Sequence, residues 1–161
     1  MSNKWRSLRP WINAWGPVAL GIVIIALETQ EFMGSNYTNG PFRHLYEALF
    51  GNVSNRRWEV IHHLIRKGGH FGGYGLIGLA WLRAWWKTLP HSRFFQDAIL
   101  ALLGTALMAS CDEWHQSYIP NRTGTPWDVL LDCTGAVALQ LLVYSYLRIF
   151  QPKRLQHPAL Y

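Results

Sequence analysis

The chain has 161 residues, the length of one domain, with a formal net charge of +6 and 50% hydrophobic residues. The mean hydropathy is +0.00, yet the apolar residues form long blocks that polar connectors separate. Lys and Arg flank these blocks instead of covering one helix face, which excludes a nucleic-acid-binding protein and favours an integral membrane protein.

The first apolar block predicts a membrane-spanning helix over about residues 15–34, after a basic segment with Lys4, Arg6 and Arg9. A bilayer requires about 20 apolar residues for a helical span. No small-residue cleavage site follows the block, so we predict a retained span and not a signal peptide. Glu28 and Glu31 fall near its far end.

The connector 35–66 contains two short segments with apolar residues at helical spacing. The apolar positions are Phe42, Leu45, Leu49 and Phe50 in the first, and Trp58, Ile61, Leu64 and Ile65 in the second. Both segments are too short to span a bilayer and fit helices that lie in the membrane interface. The alternative is a soluble loop with two helical turns.

The second predicted span covers about residues 68–86 and is rich in glycine. Small residues four apart let helix backbones approach closely in a membrane. Lys67, His70 and Tyr74 lie at helical spacing, so we expect them on one face. The alternative is that Lys67 extends toward the lipid headgroups, His70 hydrogen-bonds a carbonyl group, and Tyr74 lies in the aromatic belt of the membrane interface.

The third and fourth predicted spans cover about residues 95–113 and 127–147 and enclose a polar hairpin, 111–132. Asp112 and Gln116 share one helix face, and Asp128, Asp132 and Gly135 share another. Ionisable groups at the ends of apolar helices are expensive and usually mark a functional surface. Cys111 and Cys133 define no disulfide framework, and a bond between them stays open.

Charge placement predicts the orientation of the four spans. With the amino terminus in the cytoplasm, more basic residues lie on the inner side than on the outer side. The inner basic residues are Lys4, Arg6, Arg9, Arg83, Lys87, Arg93, Arg148, Lys153 and Arg154. We therefore predict an all-α, single-domain chain (1–161): an integral membrane four-helix bundle with short interfacial helices between the first and second spans.

The segments KGGHFGGYGLIGL and DEWHQSYIPNRTGTPWDVLLDCTG resemble the VanZ-like family of small bacterial membrane proteins, over about residues 15–148. The matching positions are Lys67, His70, Tyr74, Asp112, Glu113, Gln116, Pro120, Arg122, Asp128, Asp132 and Gly135. Asp132 replaces the family's usual Asn. The resemblance implies a multi-pass protein of the bacterial inner membrane, and the family's name-giving member is associated with resistance to the glycopeptide teicoplanin.

One interpretation is an enzyme that acts on a lipid-linked phosphate at the outer leaflet. The expected catalytic residues are then His70, Asp112, Glu113 and Asp128. The expected ligand-binding residues are Lys67, Tyr74, Gln116, Arg122 and Asp132. The carboxylates could orient His70 or hold Mg²⁺ through oxygens. No specific metal motif is present, so we assign no metal ligand and expect no cofactor.

The other interpretation is a non-catalytic site that binds a membrane lipid headgroup, a lipid-linked cell-envelope precursor, the glycopeptide itself or a partner protein. A purely structural lattice of ion pairs that holds the helices together would need only balanced charge. The expected inward-facing His, Tyr and Gln side chains therefore favour an active or binding site. A transporter would require more spans or a dimer, so a homo-oligomer stays open. Catalysis and binding remain alternatives.

Overall fold

The computed structural model describes residues 3–28, 35–89, 93–119 and 124–155. Within these ranges the chain is all-helical, as predicted. The helices are α1 (Asn3–Glu28), α2 (Ser35–Phe50), α3 (Asn55–Thr88), α4 (Phe94–Gln116), α5 (Pro126–Phe150) and a short 3₁₀ helix (Pro152–Leu155).

Three segments of the described chain are long and apolar enough to cross a membrane: Leu8–Leu27 in α1, Phe94–Gln116 and Pro126–Phe150. They correspond to the first, third and fourth predicted spans. The second predicted span forms the last part of α3 and is not among the three, because its glycines and polar side chains lower its hydropathy. The arrangement of four spans with interfacial helices is therefore not established by the fold.

The ends of α1 and α5 follow from local sequence. α1 begins at Asn3, well before the predicted start, so the basic segment is also helical. α1 ends at Glu28, and Glu31 lies outside the described residues. α5 starts at Pro126, as expected for a residue that has no N–H to donate, and Thr125 caps it.

The connector between the first two predicted spans differs from the expectation. α2 is a separate helix, but the second short segment is continuous with the following span in α3, a helix of 34 residues. A glycine costs only about 1 kcal/mol in a helix relative to alanine. The Gly68–Gly69 pair therefore does not end a helix that packs against α1, α4 and α5.

α3 is the central helix of the described chain and contacts α1, α2, α4 and α5. α5 runs parallel to α3, whereas α1 and α4 run antiparallel to it. Gly135 of α5 packs directly against α3, where an added Cβ would overlap the carbonyl oxygen of Phe71. This close approach places the first turns of α5 beside the middle of α3.

The predicted close packing of α3 glycines holds for only some of them. A Cβ on Gly75 would lie 2.9 Å from Leu139, and one on Gly78 would collide with Ala136. Four other glycines of α3 have no described atom within 4 Å of such a Cβ: Gly68, Gly69, Gly72 and Gly73. Within the described ranges these four do not mediate helix packing, so the expectation was wrong for them.

Large apolar side chains cover the outer surface of the three apolar helices. Examples that are 60% or more exposed are Leu20, Leu103, Leu107 and Leu142. Continuous apolar surfaces of this kind are rare on proteins in water and are typical of lipid-facing helices. They support a membrane location for the bundle.

Candidate functional site

A polar cluster lies where the middle of α3, the end of α4 and the start of α5 meet. It contains every predicted site residue except Arg122, which lies outside the described residues. Its members are Lys67, His70, Tyr74, Asp112, Glu113, Gln116, Asp128 and Asp132. The helix faces predicted from spacing thus meet in one place, while the catalytic and ligand-binding roles stay predictions.

Asp112 is the centre of the α4 side of the cluster. Its Oδ2 accepts one hydrogen bond of 3.0 Å from the Tyr74 hydroxyl and another of 3.0 Å from Gln116 Nε2. All three side chains are buried. The bond from Gln116 follows from their i, i+4 spacing on α4, and the bond from Tyr74 joins α4 to α3.

Lys67 connects α3 to the first turn of α5. Its Nζ donates to Asp128 Oδ1 at 2.7 Å, and the Lys67 and Asp128 side chains are 41% and 25% exposed. The Thr125 hydroxyl donates to Asp128 Oδ2 at 2.9 Å. The ion pair is therefore the solvent-accessible rim of the cluster, and Asp128 is held in place from two sides.

His70 and Asp132 form the deep contact between α3 and α5. His70 Nδ1 lies 3.5 Å from Asp132 Oδ1, and the Asp132 side chain is 0% exposed. A lone carboxylate at this depth in an apolar bundle would be costly, so a partner is expected. The Nδ1 edge of the imidazole ring is therefore the edge that lies nearest to Asp132 of α5.

Thr125 is a site residue that the sequence analysis missed. Its backbone N–H donates to Glu113 Oε2 at 2.9 Å, and its hydroxyl accepts from the Asp128 backbone N–H at 3.3 Å. The signal was present, because a Thr followed three residues later by an acid is a helix-start pattern. Gly124 is required beside it, since a Cβ there would overlap the Glu113 carbonyl oxygen.

Three cluster residues could together hold a metal ion. One ligand atom from each of His70, Asp112 and Glu113 lies within 4.8 Å of the others. One nitrogen and two carboxylate oxygens suit several divalent cations. This donor set spans α3 and α4, so it has no linear motif, and sequence spacing alone could not reveal it.

The arrangement places four carboxylates beside one lysine and one histidine in the described part of the cluster. Three of the carboxylates are buried: Asp112, Glu113 and Asp132. Such a set can move protons, hold a cation or hydrogen-bond a polar headgroup. Histidine is the natural proton carrier of the set, because an unperturbed imidazole titrates closest to neutral pH.

Other polar residues of the hairpin lie outside the cluster. His115 is exposed on α4. Cys111 and Cys133 are both free cysteines. These residues therefore serve as matched reference positions for the cluster.

Comparison with known proteins agrees with this placement of the motifs. A family model described as VanZ/LLP1 matches residues 17–150, a range that includes the whole polar cluster. No curated protein and no solved structure matches the chain. Because the family match covers most of its length, the chain belongs to the VanZ/LLP1 family.

Proposed function

We propose that this VanZ-like membrane protein uses the polar cluster to bind, and to act on, a phosphate group carried by a lipid or another cell-envelope molecule. The observation that carries the proposal is the convergence of His70, Asp112 and Glu113 from two helices, with ligand atoms within 4.8 Å of one another. The partly exposed Lys67 lies at the rim of the same cluster.

Lys67 supplies the positive charge for the phosphate. Its ammonium group has three N–H donors, and the contact with Asp128 Oδ1 uses one of them. Its exposed fraction of 41% leaves it accessible to a headgroup from the membrane surface. Arg122 would add a bidentate phosphate contact, because a guanidinium group presents paired N–H donors.

His70 is the proposed acid/base or nucleophilic group. The contact between its Nδ1 and Asp132 would hold the ring in one orientation and stabilise the imidazolium form. Glu113 and Asp112 lie on the other wall of the cluster, where a carboxylate can assist a proton transfer or hold a cation. A buried location strengthens each of these electrostatic contacts.

The proposed setting is the outer leaflet of the bacterial inner membrane. The last part of α3 would be the second of four spans, with both termini in the cytoplasm, as charge placement indicates. In this setting the ligand would be a phosphate-bearing cell-envelope precursor in the outer leaflet. A role in glycopeptide resistance, including teicoplanin resistance, would then follow from a change in such a precursor.

A second candidate is a non-catalytic binding or scaffold protein for a cell-envelope partner. The network itself favours it, because Tyr74–Asp112, Lys67–Asp128 and Thr125–Glu113 contacts join three helices. The same contacts would stabilise the bundle without any chemistry.

The test uses purified protein in lipid nanodiscs with a polyprenyl phosphate and a polyprenyl diphosphate as probes. Binding and phosphate release are measured for the unmodified protein and for His70→Gln and Glu113→Gln. His115→Gln is the matched control, because this histidine is exposed on α4. We expect release to be lost in the first two variants, with membrane abundance and melting temperature maintained.

The other outcomes are equally clear. Binding without release in the unmodified protein supports the scaffold candidate. Activity that falls only in step with abundance across the variants supports a structural ion-pair lattice. Glycopeptide susceptibility of a host that produces each variant tests the resistance role separately.

A further inference from the structure

An apolar groove runs between α1 and the glycine-rich side of α3. Its volume is about 330 Å³. Leu20 and Ile24 form part of the α1 wall, and Gly69 and Gly73 form part of the α3 wall. Both glycines have no described atom within 4 Å of an added Cβ, so the missing side chains are what leaves the space open.

One end of this groove opens on the polar cluster. Of the described residues that line the groove, only His70 and Tyr74 are polar, and both belong to the cluster. None of the lining residues is charged. The groove therefore connects an apolar, lipid-facing surface to the group that we assign to proton transfer.

The size of the groove corresponds to one hydrocarbon chain. Its α3 wall extends from Gly69 to Ala80, about 16 Å at a rise of 1.5 Å per residue. This is about half of the roughly 30 Å hydrocarbon core, the depth of one leaflet. A groove of this length and volume is too small for a further helix about 10 Å in diameter.

We propose that the α1–α3 groove holds one hydrocarbon chain of the lipid whose phosphate binds to the polar cluster. The inference rests on the proposed function and adds the route by which the lipid enters. The chain lies along Gly69 and Gly73, and its phosphate end reaches His70 and Lys67. A chain seated in this way buries apolar surface in the groove, so long-chain substrates bind more tightly than soluble analogues.

The test fills the groove from α1, away from every cluster residue. Ile24→Trp places a large ring in the groove, and Val23→Trp is the matched control. Ile24 and Val23 are adjacent on α1 and both are 53% exposed, but only Ile24 lines the groove. Gly73→Leu and Gly68→Leu form a second pair on α3, since both glycines have open space and only Gly73 lines the groove.

Binding is measured in nanodiscs with a polyprenyl phosphate, a diacyl phosphatidate and a soluble prenyl phosphate of one isoprene unit. We expect one of the two long-chain lipids to be the ligand. For that lipid, Ile24→Trp should weaken binding about tenfold relative to Val23→Trp, and Gly73→Leu about tenfold relative to Gly68→Leu. The affinity for the soluble analogue should stay unchanged in all four variants. The two long-chain arms show whether the chain is prenyl or acyl.

Two results would overturn the inference in distinguishable ways. Equal long-chain affinity in the groove variants and their controls, with normal binding of the soluble analogue, removes the groove and keeps the phosphate site. Failure of the unmodified protein to bind any of the three probes removes the proposed function, and the groove assignment with it. Melting temperatures of each pair are compared to exclude a difference in folding.

Discussion

The hydroxyl of Tyr74 on α3 donates a hydrogen bond of 3.0 Å to Oδ2 of Asp112 on α4, with both side chains buried. This bond replaces water as a partner for a carboxylate in the interior of the bundle. Since Gln116 is the second donor to the same oxygen, Asp112 keeps one partner if Tyr74 is changed.

We therefore expect Tyr74→Phe to lower the free energy of unfolding by about 0.5–1.5 kcal/mol, the usual net contribution of one hydrogen bond, because Asp112 keeps Gln116 as a donor. Chemical denaturation in detergent micelles measures this difference. Tyr146→Phe is the control, because Tyr146 lies 54% exposed on the surface of α5. Equal effects in the two variants would show that the Tyr74 hydroxyl contributes no stability.

Lys67→Met separates ligand binding from stability. The Lys67–Asp128 pair is partly exposed, so its loss should cost less than about 1 kcal/mol. Affinity for a lipid-linked phosphate should fall at least about tenfold, because the proposed anion contact is removed. Lys87→Met, an exposed lysine in the last turn of α3, is the control in the same binding and melting assays. A large loss of stability with unchanged affinity would contradict the assignment of Lys67.

A divalent cation should stabilise the cluster. Asp112 and Glu113 are buried close together beside His70, and a cation between them would offset their mutual repulsion. We expect Mn²⁺ or Mg²⁺ to raise the melting temperature of the unmodified protein and EDTA to reverse the rise. The rise should vanish in Glu113→Gln and persist in Glu59→Gln, which changes an exposed carboxylate of α3. An equal rise in both variants would point to surface binding.

The packing of α2 on α3 should weaken in acid. Burial lowers the pKa of His62 below its ordinary value of 6.5, and the nearby Arg66 lowers it further. The unfolded chain then binds more protons than the folded chain as the pH falls through about 6.5, so stability decreases with decreasing pH. Above that pH, the stability that His62 contributes to the packing of α2 on α3 is fully present.

Melting temperatures between about pH 8 and pH 5 measure this effect, since the ordinary histidine pKa falls inside that interval. His62→Phe should flatten the profile, because it removes the titrating group but keeps a ring beside Trp58. His63→Phe changes the exposed neighbour and should leave the slope intact. A slope that survives His62→Phe would assign the pH dependence to another group.

Orientation in the membrane is testable by cysteine labelling. In a protein without Cys111 and Cys133, a cysteine in place of the exposed Ser117 should react with an impermeant thiol reagent in intact cells. A cysteine in place of Lys87 should react only after the cells are opened. The reverse pattern would place the polar cluster on the cytoplasmic side.

Sequence patterns were sufficient to predict α4 and α5 as helices, because a long apolar run and a proline at a helix start are local signals. They were not sufficient at Gly68 and Gly69, where tertiary contacts outweigh the cost of glycine and α3 continues. Spacing likewise places His70 and Asp132 on the correct faces. Their contact depends on how far α5 rotates and slides along α3, and the close approach of Gly135 to Phe71 is one of the contacts that set this position.

Because α3 is continuous, it fixes the rotation of two distant regions relative to each other. Trp58 and His62 contact α2, while Lys67 and His70 belong to the polar cluster, and one unbroken helix carries both pairs. Inserting a single residue between them would turn one pair relative to the other by about 100° around the helix axis. Insertions of one residue in this stretch should thus be far more harmful than insertions of about a whole turn, because the continuous helix fixes the rotation of one region relative to the other.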